Sequence, residues 1–412
     1  MNKWSARYYS LVIGLVLLCA MSVSACADGF VKAQGGKLFL NGKEYRAVGV
    51  NIPFMSTLYF GTFLKISQLY GTPEQAKKAT IDAIVDADKS GVAFIRFFAS
   101  PGYPRDIDLF YGKDKEAYWR KMDELFALCK RHHLKVIPSL GSILGWQHYY
   151  NEDRQAILDP NSKSHKAAYG YIREFVTRYK DDSTVLLWEL NNEGMHFADL
   201  DMQGMPAPPK DCYTEGAARR EKLTRQDSLT WDMMLRIYKE QASFIKELDP
   251  NHPVTSGDAG VRMECTSRRE TFPDFRFRSD TLREWVSNNL ASQVEPLDVM
   301  SFHNYGNFTS SDVFGFKGMS SLDMLRVEVH AAQAAQMPIF FGELGGSNPS
   351  IGNDPGAKWA RQAIDVLDHE GASLIALWVW HFPRQPEHTF DSKSQPELVK
   401  RLATFNRKHG SR

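Results

Sequence analysis

Strand-length apolar runs alternate with helical segments along nearly the whole chain, and this alternation limits the possible folds more than any other feature. The runs are Arg46–Asn51, Val92–Phe98, Leu134–Ser139, Ser183–Asn191, Val254–Ser256, Leu297–His303, Met337–Glu343 and Ser373–Trp380. Most lack polar alternation, as expected of strands covered on both faces. Thr72-Pro73-Glu74-Gln75 starts the first main helix, with Thr as N-cap, Pro at the first position and Gln closing a capping box. Gly91 ends it. Further helical segments run over Glu116–His132, Lys166–Lys180, Ser228–Leu248, Leu282–Leu290, Leu322–Gln336, Asp354–His369 and Pro396–Lys408. In the fourth of these eight, Trp231, Met234, Leu235, Tyr238, Ala242, Ile245 and Leu248 keep a helical period. Eight strands each followed by a helix predict an α/β fold, a single (β/α)8 TIM barrel with long βα loops. The alternative is a doubly wound open sheet. It is disfavoured because no glycine-rich phosphate turn follows the first strand. Ahead of the barrel, Lys37–Leu40, Asn41-Gly42 and Lys43–Tyr45 predict a short N-terminal β-hairpin on a type I′ turn.

The N-terminus reads as an export signal. Lys3 and Arg7 precede an apolar stretch, Leu11 to Met21, too short to span a bilayer comfortably. Val23-Ser24-Ala25-Cys26 resembles a bacterial lipobox, which would make Cys26 the lipidated first residue. Ala25-Cys26-Ala27 also fits ordinary signal-peptidase cleavage; the lipobox reading is preferred. Residues 1–26 are therefore set apart from a catalytic domain at 27–412. The expected location is the periplasm or cell envelope as a lipoprotein, or outside the cell. Contact with a membrane is expected only through the lipid. A net charge of +1 gives no electrostatic case for nucleic acid. Cys129 falls on the apolar side of its helix and is expected to be buried. Cys212 and Cys265 lie in polar, loop-like stretches and are expected to form a disulfide. No zinc-spaced His/Cys cluster is present, so no metal or other cofactor is expected.

The fourth run ends as Trp188-Glu189-Leu190-Asn191-Asn192-Glu193-Gly194, and the seventh as Phe341-Gly342-Glu343-Leu344. A buried strand should not end on such groups unless they reach a functional space. In a parallel barrel all strand C-termini point to one rim. Glu193 and Glu343 would then face each other there, with Asn51, Arg96, Asn192, His303, Tyr305 and Trp380 also at strand ends. Paired carboxylates suit glycosidic bond hydrolysis. Arg96 has a second reading, as a core ion-pair partner of Glu189. Trp146, Tyr149 and Tyr150 follow strand three and are candidate cleft aromatics.

These motifs, with Phe302-His303-Asn304-Tyr305 and Trp378-Val379-Trp380, resemble the clan A retaining glycosidases, and most closely glycoside hydrolase family 5. Phe39 to Asn51 is similar to the start of its β-mannanase-like branches. The resemblance implies Glu193 as acid/base and Glu343 as nucleophile. It further implies Asn192 on the sugar 2-hydroxyl, Arg96 and Tyr305 on Glu343, His303 beside the acid/base, and Trp380 as a sugar platform. The chain departs from the common family pattern at Gly194, where Pro is frequent, and at Ser139-Leu140-Gly141, where His is frequent.

The expected activity is retaining cleavage of β-1,4 links in a polysaccharide, mannan foremost, by a monomer. Its rivals are an endo-β-1,4-glucanase, a non-catalytic carbohydrate-binding barrel, and a metal-dependent hydrolase using His303, Glu343 and His381.

Overall fold

The computed structural model describes residues 29–61, 68–141, 145–306, 319–345 and 355–412. Residues 1–26 with Cys26, and Asp354 at the expected helix start, lie outside the described residues. Strands β1 (Val31–Gln34), β2 (Lys37–Leu40) and β3 (Lys43–Glu44) form a small antiparallel sheet around the expected hairpin. The barrel follows with β4 (Ala47–Asn51), β5 (Phe94–Phe98), β6 (Lys135–Ser139), β7 (Trp188–Glu189), β8 (Val254–Thr255), β9 (Met300–Asn304), β10 (Ile339–Leu344) and β11 (Leu374–Leu377). The eight strands run parallel in the order β8-β7-β6-β5-β4-β11-β10-β9. A parallel bridge between Thr255 and Val299 joins the two ends and closes the ring.

The helices Pro73–Lys89, Lys115–Arg131, Lys163–Tyr179, Trp231–Leu248, Leu282–Ala291, Ser321–Ala334, Pro355–Glu370 and Pro396–His409 follow β4 to β11 in turn. Thr72 and Gln75 make the expected capping box. Cys129 is buried, as its position in the helix implied.

Strand parity sorts the core into two regions. Ile95, Phe97, Val136, Trp188, Phe302, Phe341 and Ile375 join the large cluster packed against the helices. Ala47, Phe94, Ile137, Leu187, Val299, Phe340 and Leu374 fill the interior, where Val31 and Leu38 of the small sheet join them. Above this apolar filling, parity turns Arg96 and Glu189 inward, and both are fully buried. Strand seven reaches the same end by an irregularity. Phe341 pairs with Phe302 but Glu343 with His303, so Gly342 is an extra residue in the ladder. The bulge brings Glu343 round to the interior face that Phe340 occupies lower down.

Strands four and five are shorter than the sequence suggests. The β7 ladder covers only Trp188–Glu189, although Val185 bridges Val136 and Leu190 N–H bonds the Thr255 carbonyl at 2.9 Å. A tie of another kind anchors strand one. Asn406, from the closing helix, accepts Val48 N–H at 2.7 Å and donates to the carbonyls of Val48 and Gly91, each at 2.8 Å. Asn406 is fully buried, so its removal strands Val48 N–H and the Gly91 carbonyl, while the Val48 carbonyl keeps Ala93 N–H at 3.2 Å. Asn406→Ala should cost about 2–4 kcal/mol in chemical denaturation, with the slope of the transition unchanged.

Candidate active site

Arg96 is the hub of the rim. Its guanidinium donates to both oxygens of Glu189 at 2.7 and 2.8 Å, to Asn51 Oδ1 at 3.0 Å, to Glu343 Oε1 at 2.9 Å and to Asn192 Oδ1 at 2.6 Å. Both readings of Arg96 therefore hold: it is the core partner of Glu189 and the cation on Glu343. Burial opposes its charge, but Glu189 and Glu343 more than offset that and raise its affinity for the proton. The Tyr305 hydroxyl donates to Glu343 Oε2. Burial, and then the Glu343 charge, push this phenol far above its ordinary range, so it stays a donor.

Glu193 lies across from Glu343. An oxygen of each carboxylate and a nitrogen of His303 lie within 4.8 Å of one another. The two acids differ in access: the Glu193 side chain is 32% exposed and that of Glu343 only 4%. His303 Nδ1 sits 2.9 Å from Glu193 Oε1 and 3.7 Å from Glu343 Oε1. Burial lowers His303 to about 4, so the ring is neutral at ordinary pH and serves either as donor or as acceptor toward Glu193. The position of Gly342 follows from this ring, since a Cβ there would lie 2.7 Å from His303 Nε2.

Glu193 has a left-handed backbone, φ 56°. Its N–H bonds the Gly257 carbonyl at 2.9 Å. A Cβ on Gly257, itself at φ +79°, would fall 1.8 Å from the Asn191 carbonyl oxygen and 2.6 Å from Glu189 Cγ. Only glycine allows this close approach.

A cleft of about 550 Å³ opens over the carboxylates, lined by Asn192, Glu193, Tyr305 and Glu343 and by Phe54, Phe98 and Trp378. Phe382, Arg384, Gln385 and His388 from the loop after β11 complete one wall.

Several expected site residues lie elsewhere. Trp380 is fully buried, donates its indole N–H to the Ala83 carbonyl at 3.0 Å and packs on Phe390. The barrel ladder stops at Leu377. The chain then pairs with the segment ending at Phe390, and Trp378, not Trp380, lines the cleft. Trp146 is buried among Tyr111 and Tyr171, with ring centroids 5.8 and 6.0 Å away, and does not line the cleft. Asn51 is buried beneath the cleft, where it orients Arg96 and donates to the Gly342 carbonyl at 2.9 Å. No disulfide joins Cys212 and Cys265 among the described residues. Cys265 is buried in a short helix, Cys265–Thr271, and burial pushes its thiol up to about 12. The Cys212 segment leans on the loop after β5, where Thr214 donates to Asp108 at 2.5 Å. The long segment 198–225 after β7 carries little regular structure and is absent from the cleft lining.

Glu193, His303 and Glu343 are also the described side chains grouped closely enough to hold a cation. The rival set with His381 is not assembled, because His381 Nε2 bonds Asp86 at 2.9 Å.

The sequence reading missed the support under Tyr305. Asn304 donates to both oxygens of Glu328 at 3.1 and 3.2 Å and accepts Gly306 N–H at 3.0 Å. A Glu on the buried stripe of helix Ser321–Ala334 was the available signal.

Fold and facing carboxylates together define a barrel hydrolase of the glycosidase type. The family model described as Cellulase (glycosyl hydrolase family 5) matches residues 50–382. The chain belongs to glycosyl hydrolase family 5 and is an O-glycosyl hydrolase. It is 25% identical over 359 residues to mannan endo-1,4-beta-mannosidase 7 of Arabidopsis thaliana, covering 81% of this chain and 72% of that protein. With mannan endo-1,4-beta-mannosidase 1 of Solanum lycopersicum it shares 22% identity, over 93% of this chain and 90% of the relative. A solved endo-1,4-beta-D-mannanase of Thermotoga petrophila superposes with TM-score 0.60 at 14% identity, over 88% of this chain and 99% of that one. The endo-1,4-beta-mannanase of Rhizomucor miehei gives 0.59 at 15%, over 93% and 100%. At such identity these structures speak to the fold. No helix among the described residues is long and apolar enough to cross a membrane.

Burial raises Glu328 from 4.5 to about 8, partly opposed by the Asn304 bond. Through that window the folded protein holds a proton that the unfolded chain has released, so stability falls as pH rises. Glu328→Gln removes this slope. Its stability relative to the parent should therefore grow between pH 5 and 8, by about 1–3 kcal/mol. Thermal unfolding of both proteins at the two pH values checks this. His303 and His148, both lowered to about 4 by burial, titrate in parent and variant alike and largely cancel in the difference.

Proposed function

We propose that this protein is an endo-acting, retaining β-1,4-mannanase, with Glu343 as nucleophile and Glu193 as acid/base. The observation that carries the reading is the separation of the two carboxylates, with oxygens within 4.8 Å. Retaining enzymes hold their carboxyl groups about 5–5.5 Å apart, whereas inverting ones leave room for a water at about 6.5–9.5 Å. The surroundings support the division of labour. Glu343 is buried and receives hydrogen bonds from Arg96 and Tyr305, as suits a nucleophile held in one place. Glu193 is accessible from the cleft and lies in hydrogen-bond contact with a neutral His303.

In the first step a Glu343 oxygen forms a bond to the anomeric carbon. The bond to the leaving sugar oxygen breaks, and Glu193 gives that oxygen its proton. In the second step Glu193 takes a proton from water as the water oxygen bonds the anomeric carbon and the Glu343 ester bond breaks. Asn192, held by Arg96, lines the cleft in reach of a sugar hydroxyl, and Trp378 offers the apolar face on which a sugar ring stacks. Mannan as substrate rests on the likeness to the plant mannan endo-1,4-beta-mannosidases.

Glu343→Gln should lose mannan hydrolysis at least about a thousandfold, and Glu193→Gln by about 10²–10⁴. Proton NMR of early products should show β-anomers first. First-formed α-anomers end the retaining assignment. Release of reducing ends from cellulose but not from mannan moves the enzyme to the endo-glucanase reading.

We infer also that residues 1–26 direct export and that Cys26 carries a lipid. Mass spectrometry of the mature protein should find an acylated N-terminal Cys26; an unmodified chain starting at Asp28 assigns the leader to ordinary signal-peptidase cleavage.

A further inference from the structure

Asp258 lies outside the cleft lining, three residues beyond the end of β8, and is 2% exposed. Its Oδ1 accepts Met195 N–H at 2.9 Å and the Tyr238 hydroxyl at 2.7 Å. Its carbonyl accepts the Ser301 hydroxyl at 3.0 Å, two residues before His303 on β9. Its neighbour Gly257 takes Glu193 N–H at 2.9 Å. Residues 257–258 thus grip the Glu193-Gly194-Met195 turn on both sides of the glutamate. They also tie that turn to the strand carrying His303 and, through Tyr238, to the helix Trp231–Leu248. A left-handed backbone at a glutamate costs free energy and persists only where its surroundings fix it.

A carboxylate is an expensive way to meet a backbone N–H in a dry site. The second oxygen, Oδ2, has no partner, and burial pushes the group up to about 6. Such a cost without a contact to the cleft points to a task at the turn itself.

We propose that Asp258 is a positioning residue for the acid/base: by holding Met195 N–H it sets the Glu193 carboxyl against His303 and the leaving-group oxygen. This deepens the assignment of Glu193 made above and rests on it. Proton delivery matters most when the leaving group is a sugar, and much less when it is an activated phenolate that departs without help. Loss of Asp258 should therefore show in the leaving-group dependence rather than in binding.

The test compares mannan with a dinitrophenyl β-mannobioside in the parent, Glu193→Ala, Asp258→Ala, Asp258→Asn and Tyr238→Phe. In Asp258→Ala the ratio of kcat/KM on mannan to kcat/KM on the aryl substrate should fall at least about tenfold. This ratio compares the glycosylation step with and without need of a proton. On the aryl substrate kcat and KM should fall together, because Glu193 also serves as base in the second step. Asp258→Asn keeps an oxygen acceptor for Met195 and should return the ratio to within about threefold of the parent. Tyr238→Phe, which removes one of the two donors on Oδ1, should lower the ratio by about threefold. It also carries the test if Asp258→Ala does not fold. If Glu193→Ala leaves the ratio unchanged, the acid/base assignment fails. If Glu193→Ala lowers it while every folded variant of Asp258 and Tyr238 keeps the parent ratio, the role of Asp258 alone is overturned. An equal loss of kcat/KM on both substrates, or an Asp258→Asn as impaired as Asp258→Ala, overturns it too.

Discussion

One guanidinium holds the catalytic end of this barrel together. Arg96 sits above an apolar interior, out of water, and its donors reach four side chains from three other strand ends. Taking a cation into such a place costs several kcal/mol, and only full pairing repays it. That requirement fixes distances. Glu189, Asn51, Asn192 and Glu343 must all converge on one planar fork, and the fork has no slack. The positions of the two facing carboxylates are thus by-products of a satisfied buried charge. Glu343 touches the fork, and Glu193 follows the Asn192 that does.

The sequence made the fold and the carboxylates readable because both depend on local pattern. Strand-helix alternation needs only periodicity, and Glu193 and Glu343 announce themselves as acids where apolar strands end. Trp380 was misplaced because strand eight was carried on to it from Ser373, whereas the chain leaves the sheet after Leu377 and turns to meet Phe390. Trp146 was read as a loop aromatic, but the ring cluster of Tyr111 and Tyr171 provides the better apolar burial. The Cys212–Cys265 pairing rested on their loop-like surroundings and an oxidising compartment, neither of which says anything about distance. Asp258 left no mark a linear reading would weigh, and Glu328 only its place on the buried stripe of its helix. Their roles come from contacts 24 residues away for Glu328 and 63 for Asp258.

The cleft has an unequal construction. Its floor is built on barrel strands and held by buried hydrogen bonds. Much of one wall belongs to the loop after β11, which supplies Trp378, Phe382, Arg384, Gln385 and His388. Rigid groups for chemistry and a loop for shape are a division that lets one scaffold serve different sugars.

Strand seven illustrates how the catalytic face is encoded. Gly342 is one residue more than its neighbour strand can match, and that surplus rotates Glu343 from the helix side to the interior. What counts at this place is arithmetic rather than chemistry. Exchanging Phe341 for another apolar side chain alters packing, whereas a regular ladder that paired Gly342 in turn instead of bulging would leave Glu343 facing the surrounding helices. The facing of this acid thus rests on where the surplus residue is absorbed rather than on which apolar side chains surround it.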